Sequence, residues 1–158
     1  MSQAERALLF KLIDNYHKVG FSELVAMRFQ NSQLPADIQQ EYEEYAQNPI
    51  SRSQKMLDMF RKRFIELFSL PEFGVALDIG CGIGASSFLL ASQFDQVVGI
   101  DVDLISLILA RKFLEEQGVN NVVLAQAYAQ KIPLPDESVH YAAAQNVVEH
   151  LFDVESAF

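Results

Sequence analysis

Val75-Ala-Leu-Asp78-Ile-Gly80-Cys-Gly82-Ile-Gly84-Ala-Ser-Ser87 is the stretch that decides the fold. An apolar run ends in three alternate glycines and then passes into an apolar, helix-compatible segment. That order reads as a strand, a tight turn and a helix N-terminus. Glycine suits such a turn because it reaches positive φ and lets a ligand lie against bare backbone. Downstream, apolar runs and helical segments alternate. Strands are expected at 75–79, 96–101, 121–126 and 138–145, and helices at 84–93, 103–117 and 147–158. Gly118 ends the longest of these helices, and Pro133 and Pro135 stiffen a loop over 129–137. Strands alternating with helices imply an α/β fold with a parallel sheet and helices on both faces.

Upstream the texture is helical throughout. Ser2-Gln-Ala-Glu5 has capping-box spacing, and Leu8, Leu9, Leu12, Ile13 and Tyr16 follow at helical intervals. Gly20 is placed to stop that helix. A second helix is expected over Ser22 to Gln30. Pro35 opens a polar third helix through Glu41-Tyr42-Glu-Glu-Tyr45, which Asn48-Pro49 breaks. Ser51 or Ser53 then caps a fourth, whose stripe is Met56, Phe60, Phe64, Leu67 and Phe68, with Pro71 at its end. The chain therefore divides into an all-helical segment, 1–70, and an α/β segment, 71–158, with the boundary near 69–74.

Half of the 158 residues are hydrophobic, enough for a packed core. Cys81 is the single cysteine, so no internal disulfide can form and a reducing, cytoplasmic setting is the expectation. The N-terminus lacks an uninterrupted signal-peptide core, and no run is long and apolar enough to span a bilayer. The net charge of −9 is uneven. Residues 1–70 carry nine Lys/Arg and nine Asp/Glu, whereas 71–158 carry three against twelve. The half with the glycine turn holds the whole deficit, which argues against a nucleic-acid partner and suits a neutral or cationic ligand.

Gly80-Cys-Gly82-Ile-Gly84-Ala85 also satisfies G-x-G-x-x-A, a dinucleotide-binding pattern. Asp101 lies 21 residues after Gly80, at the end of the next strand, where a carboxylate can accept from both hydroxyls of a ribose. Asp103 is better placed than Asp101 for the helix cap. To this point NAD and any other adenosine cofactor are equally served. Three features separate them. Asp78 sits inside the strand, where it attracts an ammonium or sulfonium group and repels a pyrophosphate. Tyr128 to Val139 form a Pro-containing loop placed to wall an adenine. Gln145, Asn146, Glu149 and His150 close the fourth strand with polar groups, at the end where doubly wound sheets bind ligands.

On four motifs the sequence resembles the class I S-adenosylmethionine-dependent methyltransferases, type 11 methyltransferase domain. They are Leu77-Asp-Ile-Gly-Cys-Gly-Ile-Gly84, Val97-Val-Gly-Ile-Asp101, Ile132-Pro-Leu-Pro-Asp-Glu-Ser-Val139 and Asn146-Val-Val-Glu-His-Leu151. The resemblance covers residues 75–158. It implies a Rossmann-like sheet with strand order 3-2-1-4 and S-adenosyl-L-methionine as cofactor. Gly80 and Gly82, with the flanking Cys81 and Gly84, would meet the methionyl part, and Asp78 its amino group. Asp101 would take the ribose hydroxyls, and Val102 and Ala129 would flank the adenine. Gln145 and Asn146 would lie near the sulfonium. Where members of the family often carry Gly-Asp-Ala, this chain has Ala127-Tyr128-Ala129. Tyr128 supplies no carboxylate and either caps the adenine or packs. Family domains also continue through three more strands, so the chain reads as truncated after strand four, whose free edge could pair in a homodimer.

The function implied is methyl transfer to a small-molecule acceptor, helped by the N-terminal helices. The alternatives are a cofactor- or partner-binding module without turnover, and an NAD-type oxidoreductase. Glu149 and His150 are the adjacent base candidates, although Glu149 also suits a helix start and His150 a solvated or packed position. His17 and His140 have no spaced partners, so no metal site is expected. Cys81 reads as a space-filling residue rather than a nucleophile. Arg61-Lys62-Arg63 reads as a solvated helix face. Tyr16, Tyr42 and Tyr45 either line an acceptor pocket or pack between helices.

Overall fold

The computed structural model describes residues 1–30, 35, 40, 43–44, 47–51, 73–151 and 153–156. Four parallel strands make the sheet: β1 Val75–Ile79, β2 Gln96–Asp101, β3 Val122–Gln126 and β4 Tyr141–Ala144. Their order is β3-β2-β1-β4. In register, Asp78 lies beside Gly99 on β2 and Ala143 on β4, and Ile79 lies beside Ile100 and Ala144. Side chains alternate across a strand, so one face of the sheet receives Ala76, Asp78, Val97 and Gly99, and the other receives Leu77, Ile79, Val98 and Ile100.

Helix α1 spans Gln3–Asn15, α2 Phe21–Phe29, α3 Ala85–Ala91 and α4 Leu104–Glu116. The Ser2–Glu5 capping box starts α1. Asp103 caps α4, its side chain accepting from Ile105 N at 3.0 Å. Asn121, at the head of β3, donates to the carbonyls of Ala91, the last residue of α3, and of Phe94 just beyond it. One core cluster joins the first face of the sheet to α3, α4, α1 and α2 through Leu12, Phe21, Leu24, Val97, Leu109 and Phe113. Helices were expected on both faces. The described residues place α1 to α4 in this first cluster. On the second face, Leu77, Ile79, Val98 and Ile100 pack instead with Ala129, Ile132, Leu134, Val139, Val147 and Leu151.

Several boundaries differ from expectation. Gly20 does not stop α1; its φ of −79° and ψ of 170° are extended, and it opens α2, with Glu23 Oε2 accepting from its N–H at 2.8 Å. Asn48 Oδ1 accepts from Ser51 N at 3.3 Å and residues 49–51 are helical, so Ser51 lies inside a helix that Asn48 caps; Ser53 lies outside the described residues. Pro49 thus begins a helix rather than only breaking one, as suits a residue whose missing N–H would be unpaired there anyway. Of the third expected helix, residues 40, 43, 44 and 47 are described and are helical; its other residues, with Tyr42 and Tyr45, and most of the fourth, with Arg61 to Arg63, lie outside the described residues.

Strand four starts at Tyr141 rather than 138. Ser138 Oγ donates to Pro135 O at 2.7 Å, and Glu137 has a φ of 59°, so the preceding residues are turned rather than extended. The helix expected over 147–158 is, among the described residues, one 3₁₀ turn at Val148–His150. Leu151 is already extended. Beyond it, Asp153 Oδ1 accepts from Ser156 N and Asp153 O from Ser156 Oγ, both at 3.2 Å. Such local side-chain bonds compete with helical ones.

Candidate functional site

β1 and β2 end side by side, and beyond their carboxyl ends lies a cavity of about 510 Å³. Its apolar floor is Ile79 and Ile100 from the second face of the sheet, with Ala129, Val147 and Leu151 packed in the same cluster. Around it stand Gly80, Asp101, Val102, Ala127, Tyr128, Gln130, Asn146 and His150. An apolar cleft with a few convergent polar groups at the strand ends is the usual form of a small-molecule site in such sheets.

The glycine turn shapes one wall. Gly80 has a φ of +67°, and a Cβ there would lie 2.2 Å from Val147 Cγ2, so only glycine lets the 146–151 segment close over the turn. Gly82 has a φ of +52° and open space where its Cβ would be, the opening a ligand needs to reach backbone. Cys81 N–H donates to Ile100 O at 3.0 Å, tying the turn to the end of β2. Gly84 precedes α3 as its N-cap residue.

Two carboxylates on the first face flank this turn. Asp101 Oδ2 accepts from Gly82 N at 2.9 Å and Oδ1 from Asp103 N at 2.8 Å. Each carboxylate oxygen has a second lone pair, so both remain able to accept from a diol. Asp78 is only 1% exposed. Ser86 Oγ and Ser87 Oγ, from the first turn of α3, both donate to its Oδ2 at 2.6 Å. Its Oδ1 is buried without a hydrogen-bond partner. Burial pushes the carboxyl up to about 6; the two serine hydroxyls pull it down, and the Asp101 charge pushes it up. Asp78 thus keeps one buried, unsatisfied oxygen, a setting suited to a cationic group.

Of the residues named from sequence, Gly80, Asp101, Val102, Tyr128, Ala129 and Asn146 meet on the cavity wall, and Asp78, Cys81, Gly82, Gly84 and Gln145 do not line it. Asp78 turns toward α3. The Cys81 thiol faces inward near Gly99, and burial pushes its ionisation well above the usual thiol range, with Asp78 and Asp101 adding to the shift. It stays a protonated packing group. Tyr128 is 69% exposed at the rim. Asn146 adopts a φ of 54°, a conformation asparagine tolerates better than most residues. His150 reaches the wall, while Glu149, on the same turn, does not. Tyr16 lies elsewhere: its hydroxyl donates to Glu115 Oε2 at 2.8 Å, and Lys112 Nζ sits 5.4 Å from its ring centroid. His140 is structural, its Nδ1 accepting from Val75 N at 3.1 Å.

Sequence reasoning passed over Ile79, Ile100, Ala127, Val147 and Leu151, whereas Gln130 falls within the loop expected to wall an adenine. A signal existed for two of them: Ile79 and Ile100 are the last apolar residues before the glycines and before Asp101, and they alternate with Asp78 and Gly99.

With this geometry in place, likeness to known proteins is informative. A family model described as a methyltransferase domain matches residues 77–158. An uncharacterized methyltransferase of Bacillus subtilis (strain 168), YcgJ, is 31% identical over 81 residues, which are 51% of this chain and 32% of that protein. Its crystal structure superposes with a TM-score of 0.57 at 25% identity, over 68% of this chain and 43% of that one. Phosphoethanolamine N-methyltransferase 1 of Arabidopsis thaliana is 34% identical over 101 residues, covering 61% of this chain and 20% of that protein. The structure of Haemonchus contortus phosphoethanolamine N-methyltransferase 2 in complex with S-adenosyl-L-methionine has the same fold, with a TM-score of 0.57 at 23% identity over 66% of this chain and 24% of that one. The chain spans a third or less of the length of these two sequence relatives.

Proposed function

The chain belongs to the methyltransferase domain family, and from that premise we propose that its cavity is an S-adenosyl-L-methionine site serving methyl transfer to a small-molecule acceptor. Asp101 carries this reading: a carboxylate at the end of β2, fixed by two backbone N–H groups, on the wall of an apolar cavity. The same residues fit the rest of the donor. Asp78 Oδ1 is a buried, unsatisfied acceptor suited to an ammonium group, and Gly82 leaves room for a ligand against backbone. When bound, S-adenosyl-L-methionine supplies an electrophilic methyl carbon on a sulfonium.

Each neighbouring residue then has a defined task. Asp101 accepts the ribose hydroxyls. Ile79, Ile100, Ala129 and Leu151 exclude water from the adenine, Val102 flanks it, and Tyr128 caps it at the rim. Gln145 and Asn146 lie toward the sulfonium. Displacement at an activated methyl asks mainly for positioning. His150, exposed on the cavity wall, is the group available to hold an acceptor proton; Glu149 is off the wall. Residues 71–158 form the donor-binding part and residues 1–70 a helical cap.

The relatives named for phosphoethanolamine methylation support a small-molecule acceptor, and the −9 balance of residues 71–158 disfavours a nucleic acid. The lone, buried Cys81 is in keeping with a cytoplasmic site of action. A dinucleotide is disfavoured because Asp78, beside the turn, would repel a pyrophosphate. Titration calorimetry with S-adenosyl-L-methionine, S-adenosylhomocysteine and NAD tests the proposal. Binding of both sulfur ligands is expected; binding of NAD alone would refute it.

A further inference from the structure

Helix α2 is linked to the turn beside the cavity through one side chain. Arg28 Nη2 donates to Asp103 Oδ2 at 2.7 Å, and Arg28 Nη1 donates to Ser106 Oγ at 2.7 Å. Ser106 Oγ donates in turn to the same Asp103 oxygen at 2.8 Å. The other oxygen of Asp103 caps α4, and the Asp103 N–H donates to Asp101 Oδ1. Two hydrogen bonds, joined through Asp103, thus connect Arg28 to the carboxylate on the cavity wall. On its far side the same turn is held by β3: Gln126 Nε2 donates to Val102 O at 2.9 Å, and Ala127 N to Asp101 O at 3.1 Å.

An exposed ion pair does little by itself. This one is shielded, with Arg28 and Asp103 side chains 25% and 36% exposed, and the guanidinium fork engages two partners at once. Docking of α2 does not require it, since Phe21, Leu24 and Val25 already bury α2 in the core. What Arg28 adds is a fixed direction for Asp103, and through it for Asp101.

We propose that Arg28 is a positioning residue for the Asp101–Asp103 turn, orienting the Asp101 carboxylate toward the vicinal hydroxyls of a ribose, so that the N-terminal helices tune donor affinity. The ligand's identity rests on the methyltransferase reading above; the positioning role rests on the hydrogen-bond chain.

The test is titration of the whole chain and of Arg28→Ala, Arg28→Lys and Asp101→Asn with S-adenosylhomocysteine and with its 2′-deoxy analogue. Arg28→Ala should bind S-adenosylhomocysteine about three- to tenfold more weakly, the scale of one lost hydrogen bond. It should bind the deoxy analogue nearly as the parent does, so discrimination between the two narrows toward that of Asp101→Asn. Arg28→Lys should recover part of it. The Arg28→Ala/Asp101→Asn double variant should bind no more weakly than Asp101→Asn alone. Unchanged discrimination in Arg28→Ala, or additive losses in the double variant, would overturn the proposal. If Arg28→Ala does not fold, Arg28→Lys and Ser106→Ala carry the same comparison. Failure of the parent chain to bind S-adenosylhomocysteine would instead strike the methyltransferase reading itself.

Discussion

Asp78 is a buried carboxylate beside the glycine turn, with one oxygen lacking a hydrogen-bond partner. Its folded-state carboxyl sits near 6, above the usual value of 3.8, because burial penalises the charge. The folded state therefore binds the proton more tightly than the unfolded state. The contribution of this group to stability is present at pH below about 4 and is lost as pH rises to about 6. The loss is of order 3 kcal/mol at most. Thermal melting of the parent chain and of Asp78→Asn across pH 4 to 7 checks this. The parent should lose stability relative to the variant as pH rises through that window; parallel profiles would refute it. The position of Asp78 beside the glycine turn was legible in the sequence, because it stands two residues before Gly80 in an apolar run. Its partners were not: which face of the sheet it takes, and hence its bonds to Ser86 and Ser87, depends on how α3 packs over β1. Cys81 shows the opposite case, a residue inside the glycine turn whose thiol packs inward near Gly99.

Among the elements, the strands and crossover helices were read nearly at their true bounds, because apolar runs broken by glycine leave few other ways to fold. The misread elements are those where local side-chain bonds decide. Gly20 was taken for a stop, but the Glu23 carboxylate makes it a start. The final helix follows from the alternation of apolar runs and helical segments, yet among the described residues turn bonds between Asp153 and Ser156 stand in its place. The union of α2 with α4 was also not legible, since it joins residues 75 to 95 positions apart. There Phe21 meets Phe113 at 5.2 Å between ring centroids and is 5% exposed. Phe21→Ala should cost about 3–5 kcal/mol in chemical denaturation, the range for a buried phenylalanine. A cost under 1 kcal/mol would show that α2 does not share the core.

Across the whole molecule, charge and cavity combine. The glycine turn lies in the half carrying three cationic against twelve anionic side chains, and Asp101 places one of those anions on the cavity wall. S-adenosyl-L-methionine carries one more positive charge than S-adenosylhomocysteine. Its affinity should therefore fall more steeply between 20 and 500 mM salt, since screening weakens attraction between partly exposed charges. Equal salt slopes in calorimetry would contradict a role for the acidic field. The most direct test of the central claim is a crystal structure of this chain grown with S-adenosylhomocysteine. The account predicts the ligand beyond the carboxyl ends of β1 and β2, with both ribose hydroxyls within about 3.2 Å of Asp101 oxygens. A ligand seated elsewhere, or a ribose turned away from Asp101, would contradict it.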